Sequence, residues 1–284
     1  MEFLNKLDVG LAKGEFLKMI YRQLNKLEER DFAVLREPLE SGRQSPKTIG
    51  GILILSVFLQ TLLFTLTYLV AADNTKFPYK DILFYIHLVG TTILIIFSVL
   101  YSIPSFYKKG QKIQYFISIL VSQNLFGVML FISSLFLIGS DRLFTIEQSE
   151  LIQITLIMVG LGILTFIVTF IRFYKLLSKS EYRLGSKKAR LRTRFEAKSL
   201  LPFAIIVGTG ISLLLQSIFK NMISFDGNIM MLILLGPLVF YTMLFVLPEQ
   251  LVILYCKTRF DSFNFDKDGN LKPLSNEMNH LNEH

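Results

Sequence analysis

The sequence predicts an all-α integral membrane protein of six transmembrane helices, with both termini in the cytoplasm and an amphipathic helix near the N-terminus. Three observations predict it: six long apolar runs, a single charged side chain within them, and a one-sided distribution of lysine and arginine. A helix needs about 20 residues to cross a hydrocarbon core of ~30 Å, and each run has at least that length. The runs cover residues 50–72, 82–103, 114–139, 151–171, 200–219 and 229–256.

Composition supports a membrane protein over a soluble one. Hydrophobic residues make up 52% of the 284 residues, and the mean hydropathy is +0.49. A helix of a soluble protein normally carries a polar stripe, which these runs lack. The single cysteine, Cys256, excludes an intrachain disulfide. Because there is no tryptophan, we expect tyrosines to supply the aromatic belt at the membrane interfaces; the candidates are Tyr68, Tyr79, Tyr101, Tyr115 and Tyr174.

The basic residues predict the orientation. Residues 1–49, 104–113, 172–199 and 257–284 contain nine, three, ten and four of the 30 lysines and arginines, which is 26 in all. Basic residues concentrate in cytoplasmic loops, so these four segments should be cytoplasmic. The net charge of +8 is explained by this asymmetry and does not indicate nucleic-acid binding, because no binding motif or interleaved stacking aromatics accompany it.

Residues 1–49 form a cytoplasmic lead segment. Glu2 and Asp8 interrupt its start and no apolar core follows, so we expect no signal peptide. Apolar residues then recur at helical spacing, which predicts an amphipathic helix; they are Phe16, Leu17, Ile20, Leu24 and Leu27. This helix either lies flat among lipid headgroups or packs on the cytoplasmic ends of the spans.

The first span would begin the membrane domain of residues 50–256, whose longest connection is the basic loop 172–199. The densest cluster of this loop comprises Lys187, Lys188, Arg190, Arg192 and Arg194. Such a cluster binds anionic lipid headgroups, at about 1 kcal/mol per basic residue, or an acidic partner. It is also what an ordinary cytoplasmic loop would contain.

The tail, residues 257–284, is polar. Its segment 264–269 resembles the opening of a calcium-binding loop, but Pro273 interrupts the pattern and Ser275 replaces the required glutamate. A small hairpin that turns at Asp268–Gly269 explains the sequence better. We therefore expect neither a metal site nor a cofactor.

A few polar side chains within the runs are the candidate functional residues. Glu249 follows Pro248 and is either a gating or proton-relay group or an acid that extends to the inner headgroups. His87 is near the outer side and is either a hydrogen-bonded packing residue or a proton switch. The mid-span amides either line a hydrated path or join helices through hydrogen bonds; they are Gln60, Gln123 and Asn124. A Gly236–Pro237 pair also predicts a kink in the sixth run.

Two function classes remain. No HExxH, GxSxG, Walker or Cys/His motif is present, so we expect no enzyme. The first class is a permease-like component of transport or export; the second is a membrane immunity or scaffold protein that acts by binding a partner through 172–199. The expected partners are the bilayer, its anionic headgroups, and other membrane or cytoplasmic proteins. The composition and short exterior loops suit a bacterial cytoplasmic membrane.

Overall fold

The computed structural model describes residues 24–140, 146–183, 186 and 227–274. Within these residues the chain is helical and forms no β-strand beyond two isolated bridges. Five helices are long and apolar enough to cross a membrane: α2 (Pro46–Ala71), α3 (Lys80–Ser102), α5 (Gln111–Ile138), α6 (Gln148–Ser178) and α7 (Gly227–Arg259). The short helices are α1 (Glu37–Glu40) and α4 (Pro104–Tyr107), and 3-10 helices cover Glu29–Arg36 and Asp261–Phe263.

Five of the six predicted runs are therefore helices, and the run 200–219 lies outside the described residues, as does the cluster 187–194. The helices extend past the apolar runs. Helix α2 begins four residues early because Pro46 occupies its first turn and the Ser45 hydroxyl caps it, accepting the Thr48 N–H at 3.2 Å. Helix α6 continues beyond 171 through Arg172 and Lys175, which favour a helix C-terminus.

The long helices define two ends of the bundle. At one end, here called the proximal end, the starts of α2 and α5 meet the end of α3. Two hydrogen bonds show this: the Gln114 amide donates to the carbonyls of Pro46 and Tyr101, each at 2.9 Å. At the distal end the loops after α2 and α5 meet, where the Lys76 N–H donates to the Gly139 carbonyl at 2.9 Å.

Helices α6 and α7 run parallel to each other. The Tyr241 hydroxyl donates to the Met158 carbonyl at 3.2 Å, and farther along both helices Phe173 and Glu249 line one groove. Sequence numbers thus rise in the same direction on both helices. Helix α7 begins at the same end as α6.

Helices α5 and α7 approach most closely at Gly236. A Cβ atom there would lie 1.8 Å from the Ser134 hydroxyl oxygen and 2.4 Å from the Leu130 carbonyl oxygen. Contacts that short do not occur between real atoms, so only a glycine fits. Small residues permit this kind of backbone approach between apolar helices.

Two hydrogen bonds, here called the braces, join α5 to α7. In the distal brace the Ser134 hydroxyl lies 3.1 Å from the Leu232 carbonyl oxygen; in the proximal brace the Gln123 amide donates to the Met243 carbonyl at 3.1 Å. Each carbonyl precedes a proline of α7 by five residues, close to the point where the missing proline N–H interrupts the helix. These prolines are Pro237 and Pro248.

The lead segment and the tail pack together on the proximal end. Leu24 is buried, and Arg259 of α7 donates to the Leu24 and Asn25 carbonyls at 2.7 and 2.8 Å. Phe32 and Phe263 are fully buried in the same layer. The described end of the predicted amphipathic helix is therefore packed on the bundle; its residues before 24 lie outside the described part.

Asp31 ties the lead segment to the end of α6. Its carboxylate pairs with Arg183 and accepts the Glu28 N–H at 3.0 Å and the Ser180 hydroxyl at 3.4 Å. Burial by itself raises the pKa of Asp31, but these donors outweigh it and hold the pKa below its ordinary value. The contribution of the pair to stability is thus complete above the ordinary pKa and is lost as pH falls through the lowered one.

The tail forms the predicted hairpin, which is confirmed by the Phe265–Leu271 bridge and by a φ of +92° at Gly269. The Asp266 carboxylate accepts the N–H groups of Asp268 and Asn270, each at 2.9 Å. These bonds close the turn at Asp268–Gly269.

Lys257, at the end of α7, anchors this hairpin. Only 1% of the residue is exposed, and its ammonium donates to the Phe263 carbonyl at 2.9 Å. The rings of Tyr115 and Phe265 lie 5.4 and 5.5 Å from the ammonium, within cation–π range. The predicted interfacial role of Tyr115 is wrong, because the tyrosine is 2% exposed and forms one wall of this cage.

Candidate functional site

His87 is the centre of a buried polar cluster between α2, α3 and α5. Its Nδ1 lies 3.0 Å from the Tyr68 hydroxyl and its Nε2 lies 2.9 Å from the Asn124 side-chain oxygen. All three residues are less than 10% exposed. Both ring nitrogens therefore have a partner away from solvent.

The cluster continues toward the proximal end through two more residues. The Asn124 amide nitrogen lies 3.4 Å from the Gln60 oxygen and 3.3 Å from the Thr91 hydroxyl. Gln60 is fully buried, and its amide nitrogen has no hydrogen-bond partner within the described part of the chain. Such an unpaired donor costs about 1–3 kcal/mol.

Two π-helical segments position the key side chains. Tyr68 lies in the segment Leu66–Ala71 of α2, and Asn124 lies in Gln123–Met129 of α5. A π-segment adds one residue to a helical turn, which re-aims the side chains around it, and such segments are frequent at functional sites. His87 and Thr91 lie four residues apart on α3 and so share one face.

Aromatic rings enclose the distal side of the cluster. The His87 ring centroid lies 5.5 Å from that of Phe64, and the Tyr68 ring makes edge contacts with Phe84 at 5.2 Å and Phe136 at 5.6 Å. These rings pack around His87 and Tyr68. This packing corrects the prediction for Tyr68, which is not part of an interfacial belt.

The geometry can accommodate either protonation state of His87. In the neutral ring, Nε2–H donates to Asn124 and Nδ1 accepts the Tyr68 hydroxyl hydrogen. In the doubly protonated ring, Nδ1–H donates to the Tyr68 oxygen, and the hydroxyl hydrogen turns to the Leu83 carbonyl, 3.3 Å away. Neither state leaves a ring nitrogen unpaired.

The structure brings three of the five predicted intramembrane candidates together, namely Gln60, His87 and Asn124. Gln123 points to α7 instead, where it forms the proximal brace. Glu249 lines a separate groove between α6 and α7, beside Arg172. The basic candidates lie outside the described residues; they are Lys187, Lys188, Arg190, Arg192 and Arg194.

Sequence reasoning missed Tyr68 and Thr91 as members of the cluster. The spacing of His87 and Thr91 was a usable signal, because residues four apart share a helix face. No family model matches this chain, and no curated protein or solved structure matches it. The site is therefore interpreted from its own chemistry.

Proposed function

We propose that this chain is a six-span protein of a bacterial cytoplasmic membrane, with both termini in the cytoplasm, and a non-enzymatic, permease-like component of transport or export. Helices α6 and α7 point in the same direction, so the chain between Arg183 and Gly227 has to return from the proximal to the distal end. This return supports a sixth crossing. A crossing by residues 200–219 supplies that return. The excess of basic residues at the proximal end supports its cytoplasmic location.

Reporter fusions test this topology. A reporter placed after His284 or before Met1 should be active in the cytoplasm, and one inserted at Asp73, in the distal loop, should be active outside. An exterior reporter at either terminus would contradict the proposed orientation.

The observation that carries the transport proposal is the His87 cluster. Buried polar groups within apolar helices are costly, and they commonly mark a path for protons, ions or polar solutes. A histidine whose two nitrogens keep partners in both protonation states can take up a proton and release it without breaking its surroundings. The unpaired Gln60 amide adds a site where a polar species can bind.

Proton flux into proteoliposomes measures this function directly. With an imposed pH gradient and a trapped pH-sensitive dye, we expect the wild type to conduct protons and Asn124→Leu to lower the rate at least about 10-fold. The physical reason is that leucine removes the partner of His87 Nε2 and of Gln60 together.

The matched variants lie side by side on α2. Gln60→Leu should lower the flux, whereas Thr61→Leu should leave it unchanged, because Thr61 is exposed and outside the cluster. Size-exclusion profiles in detergent confirm that each variant is folded. Equal flux in wild type and Asn124→Leu, or none in either, would rule out the proposed role of the cluster.

Partner binding is the second candidate function, as a membrane immunity or scaffold protein. One observation favours it: the lead segment, the first turns of α5 and the tail pack together on the proximal end, which offers a folded surface to another protein. In that case substitutions in the His87 cluster are tolerated, and charge reversal at the cluster 187–194 abolishes binding. Substitution of Glu249 with Gln has no effect on such binding.

A further inference from the structure

The proximal half of α6 carries a stripe of mixed character, here called the α6 stripe: Val168, Ile171, Arg172, Lys175, Leu176 and Lys179. These residues line one groove of about 450 Å³. Their spacing of three or four residues places them along a single helix face. The aliphatic members Val168 and Ile171 lie toward the middle of α6, and the cationic members lie toward its proximal end.

The three cations of the stripe have no salt-bridge partner among the described residues. Arg172, Lys175 and Lys179 are exposed, and their side chains form no ion pair or hydrogen bond with other described residues. On the packed helix α7, Glu249 lines the neighbouring groove together with Arg172. Apart from Arg172 and Glu249, the residues that line this neighbouring groove carry no charged side chain.

The surface that continues from the cations is apolar. Leu164, Ile167 and Val168 are 56%, 45% and 57% exposed, and they extend the stripe toward the centre of α6. A ligand for this surface needs a negative group at one end and a hydrocarbon chain at the other. An acidic protein segment would match the cations but not the long aliphatic extension.

We propose that the α6 stripe is a binding site for an anionic phospholipid. The phosphate and the anionic headgroup lie among Arg172, Lys175 and Lys179, and an acyl chain follows Val168 and Ile171. Basic residues close to the membrane surface attract anionic headgroups in this way. The site rests on the membrane location of the chain and does not depend on transport.

Amine labelling of the wild-type protein tests the site without any variant. The protein is reconstituted in phosphatidylcholine vesicles with or without phosphatidylglycerol, and acetylation of each lysine is read by mass spectrometry. We expect phosphatidylglycerol to lower the labelling of Lys175 and Lys179 at least about threefold. Lys108 and Lys109, exposed in the proximal loop before α5, serve as internal references and should change little.

Matched charge removal provides the second measurement. Native mass spectrometry counts the phosphatidylglycerol retained after detergent extraction. Replacing Arg172, Lys175 and Lys179 with glutamine should remove the preference for phosphatidylglycerol over phosphatidylcholine. The control, in which Lys108, Lys109 and Lys112 are replaced with glutamine, loses the same charge at the same end and should keep the preference.

Three outcomes would overturn the proposal. Equal loss of preference in both triple variants would mean that net charge attracts the lipid. Equal protection of all five labelled lysines, Lys112 included, would mean that no local site exists. Protection of Lys175 and Lys179 by inorganic phosphate in detergent, to the same extent as by vesicles, would mean that the aliphatic surface plays no part.

Discussion

Substitution of Gly236 with alanine should destabilise the protein more than any other single added methyl group in the described helices. The new Cβ would lie 1.8 Å from the Ser134 hydroxyl and 2.4 Å from the Leu130 carbonyl oxygen. The hydroxyl of Ser134 can turn away, but the Ser134 Cβ, 2.9 Å from the new methyl group, and the Leu130 carbonyl of the α5 backbone cannot. We expect α5 and α7 to separate and the free energy of unfolding to fall by about 3 kcal/mol, measured by thermal unfolding in detergent.

Gly160 provides the matched control on α6. A Cβ at Gly160 would meet no atom within 4 Å, so Gly160→Ala should be neutral or slightly stabilising, because alanine favours a helix over glycine. Adding Ser134→Gly to Gly236→Ala should recover part of the loss, since it removes one of the two clashing groups. If Gly236→Ala unfolds at the same temperature as Gly160→Ala, the close approach of α5 and α7 is incorrect.

Reversal of the charge at Lys257 is expected to release the tail from the proximal end. Lys257→Glu would bury a carboxylate against the Phe263 carbonyl oxygen and the faces of Tyr115 and Phe265, and all three repel a negative charge. An uncompensated buried charge costs about 3–5 kcal/mol. The measurement is chymotrypsin cleavage of the hairpin after the buried Phe263 and Phe265, which should become much faster.

Lys267 is the control for this effect. It is exposed at the tip of the hairpin, so Lys267→Asn should leave the docking of the tail intact while changing the charge of the same segment. Lys257→Met keeps most of the side-chain volume but leaves the Phe263 carbonyl unpaired, and we expect an intermediate effect of about 1–3 kcal/mol. Unchanged cleavage after Phe265 in Lys257→Glu would show that the cage does not hold the tail.

The sequence predicted the long helices well because the signal is simple: hydrophobic residues continue for 20 or more positions. It also selected Gln60, Asn124 and His87 as the polar residues of interest. It could not decide between Gln123 and its neighbour Asn124, because adjacent residues on a helix point about 100° apart. Which one faces α3 depends on how α5 is rotated in the bundle.

Other features depend on packing that no local pattern encodes. The π-segments at Tyr68 and Asn124 arise where a helix turn widens against its neighbours, so the sequence carried no sign of them. Tyr68 was assigned to an interface because tyrosines are common there, yet the ring is enclosed by Phe84 and Phe136. The docking of the tail could not be predicted either. From the sequence Lys257 is one more basic residue after the last apolar run, and its contacts with Tyr115 and Phe265 depend on the fold.

The two braces between α5 and α7 restrict how α7 can move. They are 11 residues apart on each helix, from Gln123 to Ser134 and from Leu232 to Met243, which on α7 is close to three full turns. Sliding α7 by one residue along its axis would move the Leu232 and Met243 carbonyls away from their donors together. Such a shift would therefore break both braces at once. Hinging at one proline, by contrast, disturbs one brace and leaves the other engaged. We therefore expect α7 to move relative to α5 by bending at a proline and not by sliding along the helix axis.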